Sequence, residues 1–216
     1  MDTLTPDECR VLGVLIEKAQ TTPGQYPLSL NALLNGANQH SNRLPVTNLT
    51  ESAVLTAVDG LRAKNMVREV MLSSSRVAKY RHVTRDVLDI STSDLVVLAE
   101  LLLRGPQTVG ELRGRASRMH PLESLEVVSN LLKNLMEREE PLVQRLQPSP
   151  GSRAERYGQL LCPELHPADA VVSQNAGETP GTPDSDLVQR IERLEADVAD
   201  LRKALQRIET VLGETV

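Results

Sequence analysis

Apolar and polar positions along the chain run through two rounds of one order, three helices and then a hairpin, before a last segment of different character. Over residues 9–19, Val11, Leu12, Val14, Leu15, Ile16 and Ala19 make a broad apolar stripe at helical spacing. Thr5 caps this helix, Pro6 suits its first turn and Glu8 completes a capping box. The two prolines and the glycine of residues 21–27 end it. Ser29 opens a short second helix through Leu30, Leu33 and Leu34, which stops at Gly36 and Asn38. Thr50 caps a third helix, with Val54, Leu55, Val58 and Leu61 apolar and Asn65 as its stop. Residues 66–72 and 77–83 then read as two strands about a serine turn.

The second round starts at Ser93, with Leu95, Val96, Leu98, Leu101 and Leu102 on a helix closed by Gly105-Pro106. Thr108 and Glu111 form another capping box. A third helix starts at Pro121 or Ser124 and carries Leu125, Val128, Leu131, Leu132 and Leu135, after which residues 142–146 and 155–161 supply a hairpin. Ser75-Arg76-Val77-Ala78-Lys79-Tyr80 and Ser152-Arg153-Ala154-Glu155-Arg156-Tyr157 share Ser-Arg and a basic residue before Tyr, at an offset of 77. This is the pattern of an internal repeat. The expected fold is mainly α with small β-hairpin wings: winged-helix domains at 1–90 and 91–165, a linker at 166–183 rich in Pro, Gly, Ser and Thr, and a coiled-coil helix at 184–214. The tyrosines at 80 and 157 are expected to cover their own cores.

In the last segment Leu187, Ile191, Leu194, Val198, Leu201, Leu205, Ile208 and Leu212 alternate spacings of four and three, a heptad repeat. In a parallel dimer Arg190 would face Glu195 and Asp197 would face Arg202, so both flanking pairs attract. A homodimer through this helix is the expectation, and folding back onto the same chain is the alternative.

Composition narrows the picture. Phe and Trp are absent, so the core must be aliphatic. No apolar run reaches the roughly 18 residues of a membrane span, and the N-terminus lacks the features of a signal peptide. A cytoplasmic protein is expected. Cys9 and Cys162 lie far apart in the chain without metal-ligand spacing, and read as free, buried thiols. The net charge of −5 divides unevenly: Lys and Arg against Asp and Glu count ten to nine over 1–90, nine to ten over 91–165 and five to ten over 166–216. The acid excess therefore sits in the tail, and neither domain has the strongly basic balance of a tight DNA binder. The histidines at 40, 82, 120 and 166 are scattered, and no phosphate loop, dinucleotide fingerprint or nucleophile elbow occurs. No catalysis, metal or cofactor is expected.

Five of the nine asparagines, Asn31, Asn35, Asn38, Asn42 and Asn48, crowd into residues 26–48 together with Gln39, His40, Ser41 and Arg43. Such side chains read base edges, but they also favour turns and caps for local backbone reasons. Tyr26-Pro27-Leu28-Ser29-Leu30-Asn31-Ala32-Leu33, Asn38-Gln39-His40-Ser41-Asn42-Arg43 and Pro45-Val46 resemble the signature of the bacterial YceH-type proteins. Lys79-Tyr80-Arg81-His82, Arg104-Gly105-Pro106-Gln107-Thr108, Gly110-Glu111-Leu112-Arg113 and Arg118-Met119 resemble their other shared stretches. Departures are Ala37, His40, Leu44 and Thr47, where that family usually has Cys, Lys, Asp and Met. The resemblance implies tandem winged helices and a frequent C-terminal coiled coil, and it implies no activity.

Two functions follow. One is a dimeric regulator on double-stranded DNA, with Asn38, Gln39, Asn42, Arg43, Arg62 and Lys64 near bases and Arg76, Lys79, Arg81, Arg153 and Arg156 on phosphates. The other is a module that binds another protein, with the coiled coil setting the oligomeric state. Against the first, the third helix offers Glu51 and Asp59 beside its only cations, Arg62 and Lys64.

Overall fold

The computed structural model describes residues 3–71, 77–148, 151 and 153–166. Among the described residues it is a mixed α+β structure of seven α-helices, two short 3-10 turns and two small antiparallel sheets. Helix α1 (Pro6–Thr21) starts at the expected capping box, in which the Thr5 hydroxyl accepts from the Glu8 N–H and the Glu8 carboxylate accepts from the Thr5 N–H. Strand β1 (Leu28–Ser29) runs into α2 (Leu30–Ala37), and α3 (Glu51–Ala63) follows from the N-cap Thr50. Asn65 stops α3 in the left-handed region at φ 59, so that the Met66 N–H reaches Leu61 O at 2.9 Å and the Asn65 N–H reaches Arg62 O at 3.0 Å. This is a Schellman closure, with asparagine in the place glycine usually takes.

Strands β2 (Val67–Val70) and β3 (Lys79–His82) pair antiparallel, and β1 adds to the far edge of β3. Short helix α4 (Thr84–Leu88) leads to α5 (Thr92–Arg104). A box between Ser91 and Asp94 starts α5 two residues before the serine expected from the sequence, because only Ser91 stands three residues before an acid. Helices α6 (Val109–Ala116) and α7 (Leu125–Met136) begin at Thr108 and Ser124, and β4 (Val143–Leu146) pairs with β5 (Arg156–Gln159). Neither β1 nor α4 is visible in the apolar pattern, since each is too short to show a period.

Helix α1 packs on α2, α3 and α5, and α5 packs in turn on α6 and α7. One contiguous apolar core runs through residues 4–162. Gly13 lets α1 and α5 approach closely: a Cβ there would lie 2.8 Å from Leu103 Cδ2. The two rounds also share a detail of pairing. Leu28, just before the α2 N-cap, pairs with Tyr80 on β3, and Gln107, just before the α6 N-cap, bridges to Tyr157 on β5. Tyr80 is buried and Tyr157 half-buried against the core, as expected of them. Among the described residues no helix is long and apolar enough to cross a membrane. Arg76 and the heptad positions from Leu187 to Leu212 lie outside the described residues.

Candidate functional site

The second half of the polar stretch, residues 38–48, forms the loop between α2 and α3, and Asn38 and Asn42 brace it, whereas Asn31 and Asn35 lie exposed on α2. Asn38 acts as a clip: its Oδ1 accepts from the Leu49 N–H at 2.7 Å and its Nδ2 donates to Leu49 O at 2.9 Å. Leu49 is thereby held as a paired strand residue would be. Asn42 takes a left-handed φ of 59, which asparagine tolerates better than most residues, and accepts from Arg104.

Arg43 turns inward. Its side chain is 0% exposed and meets Glu17, 1% exposed, at 2.5 Å, while its Nε donates to Gly36 O at 3.0 Å. Glu17 also accepts from Arg118, and Arg118 reaches Glu100 on α5 at 3.0 Å. Glu100 pairs with Arg104 at 3.3 Å. Arg10, a further buried cation on α1, donates to Pro45 O at 2.5 Å and to Leu103 O at 3.4 Å. Three guanidinium groups, of Arg43, Arg104 and Arg118, thus meet two carboxylates, and the fourth, of Arg10, is held by backbone carbonyls.

Electrostatics agrees with the geometry. Burial pushes the Glu17 carboxyl up, but the hydrogen bonds and charges of Arg43 and Arg118 outweigh it and hold the group below the ordinary carboxylate range. Burial lowers Arg118 too, and there Glu17 and Glu100 win and raise it. Arg10, desolvated and near Arg43, falls to about 10 and stays charged at neutral pH. No nucleophile and base converge here. The cluster joins α1, the polar loop, α5 and the segment after α6.

Several sequence candidates are therefore committed to partners. Gln39 accepts from Lys18 at 3.3 Å and donates to Ser41 O at 2.8 Å. Arg62 pairs with Asp59 at 3.1 Å and with Glu69 at 3.2 Å, and Lys64 meets the buried Glu8 at 2.7 Å. Arg156 donates to Pro106 O at 2.8 Å. Lys79 is half-buried on β3, whereas Arg81 and Arg153 are exposed. A further exposed cation, Arg68, stands directly opposite Arg81 across the hairpin, and among the described residues neither has a carboxylate partner. His82 is the last residue of β3. It is half-buried beside Tyr26, whose hydroxyl accepts its backbone N–H at 2.7 Å, and burial with Arg81 alongside pushes its ring down to about 4. It is neutral at pH 7 and adds no charge toward a phosphate.

The residues missed in the sequence are Arg10, Glu17 and Glu100. One signal was there: Glu100 is the sole polar residue in the aliphatic run 95–103, and a charge so placed must be buried with a partner. The partner, Arg118, has no local signature.

Two helices also expose aliphatic side chains. Helix α3 exposes Leu55 at 40%, and α7 exposes Leu125 at 53% and Val127 at 37%. Among the described residues no group of three or more His, Cys, Asp or Glu side chains is arranged to hold a metal ion.

Residues 4–152 match the family described as "Protein of unknown function, DUF480". A UPF0502 protein of Pelobacter propionicus is 46% identical over 211 residues, covering 98% of this chain and 95% of the relative. UPF0502 proteins of Geotalea daltonii, 52% identical over 75% of this chain and 74% of the relative, and of Koribacter versatilis, 46% identical over 92% and 90%, are similar at comparable depth. The stretches that resembled YceH-type proteins supply Asn42, Arg43, Arg104 and Arg118 to the buried cluster, and on family match and identity together the chain belongs to the uncharacterised bacterial DUF480 (UPF0502) family.

Proposed function

We propose that the chain is a protein-interaction module built from two winged-helix units, α1 to β3 and α5 to β5, whose docking faces lie on α3 and α7. The repeated pairing of Leu28 with Tyr80 and of Gln107 with Tyr157 supports the tandem reading. The observation that carries the function is the character of the two third helices. Leu55, Leu125 and Val127 face solvent, Arg62 is held by Asp59 and Glu69, and Lys133 lies 3.8 Å from Glu137. A helix that reads a major groove needs donors to spare for bases and phosphates. A helix that docks on a protein needs exposed aliphatic anchors with little charge at their centre. In this reading the heptad of residues 187–212 pairs two chains.

The test is fluorescence anisotropy of the full chain with a random-sequence DNA duplex at several salt concentrations. No binding is expected even at low salt, and proteins captured by the wild type should be lost with Leu55→Glu or Leu125→Glu. A logarithm of affinity falling linearly with the logarithm of salt would overturn the proposal. A sedimentation comparison with a chain ending at Pro183 checks the dimer: equal monomeric mass for both refutes it.

One observation favours the DNA reading. Like charges directly opposite on a hairpin destabilise it by some tenths of a kcal/mol, so Arg68 facing Arg81 is a pairing that an anion would relieve. In that reading Arg68→Ala with Arg81→Ala lowers the salt slope by about 0.9 per lost phosphate contact.

A further inference from the structure

We propose that Cys9 and Cys162 are an oxidisable thiol pair, a site at which a hydroperoxide closes the chain with an intrachain disulfide. In the sequence they stand near opposite ends of the two-unit region, and nothing there links them. The fold brings them together. Cys9 lies within the first turns of α1, wholly buried, and Cys162 follows β5 at the head of the 3-10 turn Pro163–Leu165. The Leu4 N–H donates to Leu161 O at 2.8 Å, laying the entry to α1 alongside the residue before Cys162. The two thiols are buried in the same core, where α1 packs on the turn that follows Cys162, they influence each other directly, and both are unbridged.

The backbone at Cys162 is fixed independently of that contact. Buried Gln159 accepts from the Cys162 N–H at 2.7 Å and donates to Cys162 O at 2.5 Å, so both backbone groups of the cysteine are held by one side chain. The Leu165 N–H donates to Cys162 O at 3.2 Å and closes the turn, and the backbone N–H groups of Leu165 and Glu164 favour the thiolate form of Cys162. The pair is chemically unequal. Cys9, followed by those backbone donors, outweighs burial and brings the Cys162 thiol down to about 7, whereas Cys162 and burial push Cys9 far up. One sulfur is ready to attack and its neighbour keeps its proton.

The oxidant follows from access. Cys162 is only 3% exposed and heads a short turn whose Pro163 and Glu164 face solvent, a setting that admits a small hydroperoxide more readily than a bulky disulfide. The Cys162 thiolate attacks the terminal peroxide oxygen: an S–O bond forms, the O–O bond breaks, and the departing alkoxide or hydroxide takes a proton. Cys9 then attacks the sulfenic sulfur, forming S–S, and hydroxide leaves with the Cys9 proton as water. Two thiols lose two electrons, and the peroxide is reduced to an alcohol, or to water, with one further water. The bond ties the first turns of α1 to the end of β5.

The test uses the full chain with hydrogen peroxide, followed by unfolding in alkylating agent and intact-mass measurement. The expected result is two alkylated cysteines before treatment, none afterwards, a mass lower by two hydrogens, and faster migration on a non-reducing gel reversed by dithiothreitol. The rate should rise with pH through about 7. In Cys9→Ala, which removes the first cause of the lowered Cys162 pKa, Cys162 should react more slowly than in the wild type and be trapped by dimedone as the sulfenic acid, and in Cys162→Ala, Cys9 should stay unmodified. Two alkylatable thiols persisting in the treated folded chain, oxygen added to one cysteine of the wild type without a disulfide, or a disulfide between chains each overturn the proposal. The wild-type measurement decides even if a variant does not fold.

Discussion

Glu17→Gln is the sharpest probe of the buried cluster, because it keeps the side chain's shape and removes only its charge. The carboxylate is 1% exposed and holds Arg43, itself 0% exposed, at 2.5 Å, with Arg118 as a second partner. Arg118 retains Glu100, but Arg43 is left with an amide and the carbonyls of Gly36 and Asn42. Removing one partner of a buried ion pair costs about 3–5 kcal/mol, because the surviving charge stays desolvated. For a chain of this size that corresponds to a fall in Tm of about 10 °C. Urea unfolding followed by circular dichroism measures it, with Glu137→Gln as control. Lys133 and Glu137 are 63% and 64% exposed, and that variant should stay within about 0.5 kcal/mol of wild type. The sign with pH is also set. The folded Glu17 group lies below its unfolded value of about 4.3, so its contribution is complete above that pH and disappears as pH falls through the folded value. The gap between wild type and Glu17→Gln should be flat above about pH 5 and narrow below about pH 4. A loss under about 1 kcal/mol, or a gap that does not shrink in acid, would refute the assignment of Glu17 as the charged centre of the cluster.

Three further outcomes follow from single contacts. Asn38→Ala removes both bonds to Leu49 and should cost about 1–3 kcal/mol, with faster exchange of the Leu49 amide; unchanged protection contradicts the clip. Gly13→Ala places a methyl 2.8 Å from Leu103 Cδ2 and should destabilise by about 1–3 kcal/mol, with Leu103→Ala recovering part of the loss in the double variant; additive losses would mean the clash is relieved elsewhere. His82 should titrate near 4 by NMR, and because a base lowered in the folded state adds stability only above its unfolded pKa of about 6.5, stability should decline as pH falls from there toward 4. A midpoint above about 6 would place the ring in water.

Local rules carried the sequence far: Thr5, Ser29, Thr50, Thr108 and Ser124 cap where their chemistry says they should, and Asn65 stops α3. These features depend on neighbours within a few residues. The fate of a polar side chain depends on a partner anywhere in the chain. Asn42 and Arg104 meet across 62 positions and Glu17 and Arg118 across 101, separations over which no periodicity carries information. The Asn-rich stretch, which the sequence leaves open between base recognition and local turns and caps, therefore folds in its second half as a fastening. That distinction bears on function. A fastening between α1 and α5 holds the first round of elements against the second, and so sets the spacing of α3 and α7. If Arg43 and Asn42 are occupied in that work, they are not available to a ligand without breaking the cluster, at the several kcal/mol worked out for Glu17. Among the described residues, the surfaces that do no holding include Leu55 on α3, Leu125 and Val127 on α7, and the arginines at 68 and 81. In the sequence those residues look like ordinary positions on helix and strand, because what marks them is only that the fold leaves them uncovered.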